Sequence, residues 1–228
     1  CGHGLNGCYA ICFAAAKVAL GAGITAATAL SAAAKRGPTL AVYLISPGQW
    51  LAHDDAPSKV DFWLRNLRTL SNSLQQLNIP LLIRTAPTWD QAPAVLLELC
   101  RQYGVEAVHT NQEYGIHETR RDQAVARALE AQGIEFHGYL DQLLFQPGSI
   151  LTQSGSYFQV FSQFRRICYN RLHMALPKLV ARPEKQSPLN IQSDVIPKSV
   201  SGFAGPSDSL RALWPAGEDQ ARQRLAQF

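Results

Sequence analysis

Two loops of the sequence carry side chains that could bind a small molecule. The stretch SPGQWLAHDDAPS contains Trp50, which offers a flat apolar face, and His53, whose imidazole can donate or accept a hydrogen bond. The stretch TNQEYGIHETRRDQ contains an imidazole beside a carboxylate at the predicted start of a helix. Both stretches follow predicted strands, and open α/β sheets bind ligands at the carboxyl ends of their strands. We therefore predict one small-molecule pocket with four lining residues: Trp50, His53, His117 and Glu118.

Each of these side chains also has a purely structural explanation. A tryptophan or histidine in a loop more often packs on the surface than binds a ligand. Glu118 would lie in the first turn of its helix, where the helix dipole favours a negative charge with or without a ligand. The convergence of two loops on one sheet edge is what favours a pocket.

A glycine-rich turn near the start of the chain predicts a different kind of site. In KVALGAGITAATAL, Gly21, Gly23 and Ala26 match the G-x-G-x-x-A pattern between an apolar run and a helix. Such glycines let a pyrophosphate approach the backbone N–H groups at a helix N-terminus. The acid that binds the ribose about twenty residues further on is missing, since none occurs before Asp54. An NAD- or FAD-dependent oxidoreductase is therefore one alternative, and simple tight packing of the turn is the other explanation.

Other chemistries have little support in the residue pattern. Cys1, His3, Cys8 and Cys12 have spacings that fit none of the usual zinc pairs, so no metal site is predicted. The five cysteines are an odd number, which favours free thiols in a cytoplasmic protein over a secreted disulfide framework. Hydrolase and NTPase motifs are absent from the sequence, so we predict no catalytic residues. The Ala-rich start has a central Lys17 and is too weakly apolar to predict a membrane span.

Alternating apolar and amphipathic runs predict a doubly wound, Rossmann-like α/β fold. Five short apolar runs predict one parallel sheet: Val18 to Leu20, Leu40 to Ile45, Leu81 to Arg84, Ala107 to Thr110 and Ile134 to His137. Three-and-four spacing of apolar residues predicts helices beginning near Ser58, from Trp89 to Tyr103 and from His117 to Gln132. The net charge of +4 permits an anionic partner without requiring one.

We predict four regions along the chain. Residues 1 to 27 form an atypical leader with a possible first strand, and residues 17 to 140 form the α/β domain. Residues 141 to 176 form a linker region with one helix. Residues 177 to 228 form a proline-rich connector that leads towards a further helical domain, because prolines among Ser, Lys and Gly favour extended chain.

Four blocks of sequence resemble, in order, the N-terminal half of class I DNA photolyases and cryptochromes. They are LAVYLISPGQWLAHDDAPSK, FWLRNLRTLSNSLQQLNIPLLIR, VEAVHTNQEYGIHETRRDQAV and GSILTQSGSYFQVFSQFRR. The most specific element carries Tyr157, Val160, Phe161 and Phe164, which is similar to the family's Y-x-V-F-T-P-F segment. The resemblance extends from about Thr28 to Phe228.

The resemblance implies a function in light-driven DNA repair. Photolyases repair ultraviolet-induced pyrimidine dimers by electron transfer from reduced FAD, which lies in a helical C-terminal domain. Their N-terminal α/β domain holds an antenna chromophore, often a methenyltetrahydrofolate. In the folate-binding members a His after the second strand and an Asn-Glu pair at the start of a later helix contact the antenna. The matching positions here carry His53, His117 and Glu118.

The resemblance therefore identifies the chain as an antenna-domain fragment, with its FAD site and damaged-DNA groove in a domain beyond residue 228. On this interpretation the fragment alone does not repair DNA. The chain departs from the family at its start, where AKVALGAGITAAT replaces W-F-R-x-D-L-R-x-x-D-N. A non-catalytic, flavoprotein-like interaction module is the second alternative, beside the oxidoreductase.

Overall fold

The computed structural model describes residues 9 to 14, 28 to 176 and 180 to 228. The predicted parallel sheet is confirmed, with five strands: β1 (Tyr9–Ala14), β2 (Thr39–Ile45), β3 (Leu81–Thr85), β4 (Val105–Asn111) and β5 (Glu135–Tyr139). Their order across the sheet is β3-β2-β1-β4-β5, and each neighbouring pair is parallel. The order reverses at β1, so the chain winds outwards in both directions from the central strand.

The central strand differs from the prediction. The predicted run Val18 to Leu20 lies outside the described residues, as do Gly21, Gly23 and Ala26. The strand that pairs with both β2 and β4 is instead Tyr9–Ala14, which the sequence analysis assigned to the leader. Its sequence YAICFA combines aromatic and β-branched residues, which suit a strand flanked on both sides.

Helices connect and cover the strands. They are α1 (Thr28–Arg36), α2 (Pro47–Ala52), α3 (Pro57–Gln76), α4 (Ala92–Tyr103), α5 (Ile116–Glu130), α6 (Phe161–Met174), α7 (Asp208–Leu213) and α8 (Glu218–Gln227). The predicted start at Trp89 is a short 3-10 turn, Trp89–Gln91, that precedes α4. The predicted helix end at Tyr103 is confirmed, since Gly104 follows it as the C-cap with a φ of 61°.

The core has two layers, one on each face of the sheet. Alternate residues of β2 supply them: Leu40, Val42 and Leu44 face α4 and α5, while Ala41, Tyr43 and Ile45 face α3. All seven residues of β2 are buried, as expected of a strand covered on both faces. This rigid sheet fixes the positions of the loops that leave its carboxyl edge.

The proline-rich connector runs along the edge of β3. The Leu81 backbone N–H donates to Ser193 Oγ (3.0 Å), and the Asp194 N–H donates to the Leu81 carbonyl (2.8 Å). Val200 and Phe203 then enter the core beside α3. Residues 180 to 199 form no helix or named strand, and they pack on the domain where β3 would otherwise expose an unpaired edge. None of the described helices has the length and apolar character needed to cross a membrane.

Candidate functional site

The two predicted loops meet at the carboxyl edge of the sheet. His53 caps the C-terminus of α2, which follows β2, and His117 lies in the first turn of α5, which follows β4. Their imidazole rings are 5.1 Å apart between centroids and tilted by 55°. His117 is exposed and His53 is half-buried. The structure therefore brings together the two histidines that the sequence analysis selected, and the candidate crevice is the surface between their two loops.

Trp89 is a member of this site that the sequence analysis missed. It follows β3, and its ring meets His53 edge-on at 5.4 Å with an interplanar angle of 84°. The signal was present in the sequence, because Trp89 follows a predicted strand just as the two histidines do. The sequence analysis instead placed Trp89 at the start of the predicted helix from Trp89 to Tyr103.

Trp50 lies in the core rather than in the crevice. Its side chain is only 3% exposed. Its ring packs edge-on against Trp63 of α3 at 5.3 Å and against Phe203 at 6.0 Å. The short helix α2 turns this indole inward and leaves Leu51 exposed, since burying an indole removes a large apolar area from water. The structure therefore does not support a stacking face for a ligand on Trp50. Trp89, which is also buried at 5% exposed, is the indole that contacts His53.

Glu118 is drawn back towards the start of its own helix. Gly115 is the N-cap residue of α5, and a Cβ placed on it would lie 2.1 Å from Glu118 Oε2. A carboxylate at the third helical position, folded over the N-cap, faces the unsatisfied N–H groups of the first turn. In this arrangement Glu118 favours the helix start that presents His117, and a side chain at position 115 would displace the Glu118 carboxylate.

Gln49 connects the loops that follow β2 and β3. Its backbone N–H donates to the Pro87 carbonyl at 3.0 Å. Its side-chain Oε1 accepts from the Trp89 N–H at 3.3 Å, and its Nε2 lies 2.9 Å from His53 Nε2. A Cβ on Gly48 would lie only 2.9 Å from the Pro87 carbonyl, so the close approach of the two loops requires glycine there.

A buried ion cluster supports the crevice from below. Arg121 of α5 is 3% exposed and pairs with Glu113 at 2.8 Å and with Asp122 at 2.7 Å. Its guanidinium lies 4.9 Å from the centroid of the Trp89 ring. Burial raises the pKa of the Glu113 and Asp122 carboxyls, and the adjacent Arg121 opposes the shift. The cluster ties α5 to the turn that carries Trp89.

The N-terminus of α1 is occupied by side chains of the chain itself. The Asp141 carboxylate accepts from Thr28 Oγ1 at 2.7 Å and from the Thr28 N–H at 3.4 Å. Asn111 Oδ1 accepts from the Ala29 N–H at 3.0 Å, and its Nδ2 donates to Asp141 at 2.9 Å. A dinucleotide pyrophosphate would need these same N–H groups. The described part of this region therefore disfavours the oxidoreductase alternative.

Comparison with known proteins identifies a family for this chain. A family model described as DNA photolyase matches residues 25 to 184. The chain belongs to the DNA photolyase family. It is 34% identical over 140 residues to a deoxyribodipyrimidine photo-lyase of Vibrio cholerae, covering 61% of this chain and 30% of that protein. It is 28% identical over 203 residues to the photo-lyase of Escherichia coli, covering 88% of this chain and 42% of that protein. The chain thus spans less than half the length of these relatives.

Solved structures of the family share the fold. A class III photolyase from Agrobacterium tumefaciens superimposes with a TM-score of 0.74 at 20% identity, over 98% of this chain and 45% of that one. An archaeal photolyase from Sulfolobus tokodaii, solved with two FAD molecules, has a TM-score of 0.58 at 20% identity, over 84% of this chain and 39% of that one. The predicted likeness to photolyases and cryptochromes is confirmed, and the oxidoreductase alternative is not favoured.

Proposed function

We propose that this chain is the antenna-binding part of a photolyase-like flavoprotein, whose full-length form repairs ultraviolet-induced pyrimidine dimers in DNA. The observation that carries the proposal is the 5.1 Å approach of His53 and His117 at the carboxyl edge of the sheet. The family resemblance assigns antenna contacts to these two positions. On this proposal, light-driven repair, FAD and damaged DNA belong to the full-length protein.

The side chains at the crevice suit a planar heterocyclic antenna such as methenyltetrahydrofolate. His53 and His117 supply ring nitrogens that can donate or accept hydrogen bonds, and the nearby Glu118 carboxylate can accept from an amide or amine. Trp89 is buried and its ring meets His53 edge-on, so it supports the position of that imidazole. A crevice with a few polar groups beside aromatic rings is typical of cofactor sites. When bound, the antenna would absorb near-ultraviolet light and pass the excitation to the flavin.

A flavin is the second antenna that the comparisons favour. The Sulfolobus tokodaii photolyase was solved with two FAD molecules, with the implication of a novel light-harvesting cofactor in that protein. Folate and flavin share a planar ring system with carbonyl oxygens and ring nitrogens, so the same crevice chemistry serves both. A binding experiment with both ligands distinguishes them.

The test is titration of the purified chain with methenyltetrahydrofolate and, separately, with FMN. We expect one of the two to bind with a shifted near-ultraviolet or visible absorption band. His53→Ala and His117→Ala should each weaken that binding about tenfold, because losing one hydrogen bond costs about 1.4 kcal/mol. His173→Ala, on the exposed helix α6, is the matched control and should bind like the wild type. Unchanged spectra with both ligands would contradict the proposal.

A further inference from the structure

The side-chain amide of Gln49 has only one orientation consistent with its neighbours. One end faces the Trp89 backbone N–H at 3.3 Å and the other faces His53 Nε2 at 2.9 Å. A backbone N–H can only donate, so the atom facing Trp89 must be the amide oxygen. The atom facing His53 is therefore the NH2 group, and this assignment follows from the hydrogen bonds themselves.

This orientation determines which nitrogen of His53 carries the proton. An amide NH2 group donates and does not accept, so His53 Nε2 must accept its hydrogen bond. A neutral imidazole has one N–H, which must then be on Nδ1. The position of Gln49 is fixed by the hydrogen bond from its backbone N–H to the Pro87 carbonyl. Gln49 also precedes His53 by one helical turn, so the two side chains are neighbours.

The Nδ1–H group of His53 is available to a ligand. Within residues 9 to 14, 28 to 176 and 180 to 228, no hydrogen bond to this nitrogen is present, and the ring is half-buried beside His117. We infer that Gln49 is a positioning residue that holds His53 in the Nδ1–H tautomer. The crevice thereby offers a hydrogen-bond donor and selects ligands that place a carbonyl oxygen or an unprotonated ring nitrogen against it. The selection of ligands rests on the proposed function, whereas the tautomer does not.

Nitrogen-15 NMR of the histidine rings in the full chain at pH 8 tests the tautomer directly. The His53 signals are those that disappear in His53→Ala. We expect the Nδ1–H pattern in the wild type. In Gln49→Glu a carboxylate replaces the NH2 group and can only accept, so His53 should change to the Nε2–H pattern. An Nε2–H pattern in the wild type, or an unchanged pattern in Gln49→Glu, would overturn the inference. Unaltered His109 signals would show that the variant is folded, because His109 is buried in the sheet.

Binding measurements test the selection of the ligand. Gln49→Glu should bind methenyltetrahydrofolate or FMN at least tenfold more weakly at pH 8. Ala52→Glu adds the same charge at an exposed residue of α2 without replacing the partner of His53, and it should retain wild-type affinity. Equal weakening of binding in both variants, or no weakening in Gln49→Glu, would overturn the inference that His53 selects ligands with a hydrogen-bond acceptor. Failure of the wild type to bind either ligand would refute the proposed function and leave the tautomer result standing.

Discussion

The guanidinium of Arg121 lies 4.9 Å from the centroid of the Trp89 ring, so a buried cation in α5 supports an aromatic residue from a different loop. Trp89 also meets His53 edge-on. Arg121, which contacts no proposed ligand, therefore supports the crevice through Trp89. An Arg over an indole is among the more favourable cation–π pairs, and it contributes most when both groups are removed from water.

Replacing Arg121 with Met should lower the free energy of unfolding by about 3 to 5 kcal/mol, because Glu113 and Asp122 would be left as buried acids without their cation. Urea denaturation followed by circular dichroism measures the change. Arg127→Met, at an exposed position of the same helix, is the control and should change stability by less than about 0.5 kcal/mol. A loss below about 1 kcal/mol in Arg121→Met would show that the ion cluster is not structurally important.

His109 should make the protein less stable in mild acid. Burial lowers the pKa of His109 to about 4, with smaller contributions from His137 and Arg36, while Glu135 acts in the opposite direction. The unfolded chain has the ordinary histidine pKa of about 6.5 and therefore binds this proton first as the pH falls. The resulting loss of stability develops from pH 6.5 downwards and approaches about 3 kcal/mol near pH 4.

The contribution of His109 is isolated by comparing the wild type with His109→Gln at several pH values. Titrating carboxylates affect both proteins, so the difference in unfolding free energy between them reports the histidine. We expect the wild type to lose stability relative to His109→Gln between pH 6.5 and pH 4. A difference that stays constant over this range would mean that the histidine is not held neutral by burial.

Asp141→Ala should destabilise the protein by about 1 kcal/mol, since it removes the acceptor for Thr28 at the start of α1. Differential scanning calorimetry measures the loss.

The same method tests the oxidoreductase alternative, because a bound dinucleotide would raise the melting temperature. We expect NAD to leave the melting temperature unchanged in the wild type and in Gly23→Val. Protection by NAD that Gly23→Val abolishes would restore the alternative.

Asp194→Ala should expose the edge of the sheet. The Asp194 carboxylate accepts from the Ile83 N–H at 2.8 Å and pairs with Arg84 at 2.6 Å. Its loss should cost about 1 to 2 kcal/mol and release a β3 edge that can pair with other chains. Light scattering during slow heating should therefore show earlier aggregation. Asp208→Ala, whose side chain is 98% exposed, should aggregate like the wild type.

Much of the fold follows from local pattern. The apolar runs that predicted β2 to β5 are confirmed, with ends that differ by no more than a few residues. The apolar spacing that predicted α3 and the end of α4 before Gly104 are equally local signals. The first depends on spacing within one helix and the second on one backbone conformation. The central strand was predicted at Val18 to Leu20, which lies outside the described residues, and the strand in the structure is Tyr9–Ala14. Its place in the sheet is defined by pairing with β2 and β4, which are distant in sequence.

The histidine pair could be predicted because parallel strands place the residues that follow them at one edge of the sheet. The contact of Trp89 with His53 could not be predicted, since Trp50 and Trp89 are both tryptophans in short segments after strands and both are buried. Which of them packs beside His53 depends on the surface beneath each ring, and Trp50 meets Trp63 and Phe203 instead. The tautomer of His53 likewise depends on Gln49 being oriented by a backbone group of another loop. Residue order and periodicity thus specify the strands, their common edge and the chemistry available along it. Orientation and protonation arise from contacts between segments distant in sequence, because hydrogen bonds and packing act through space.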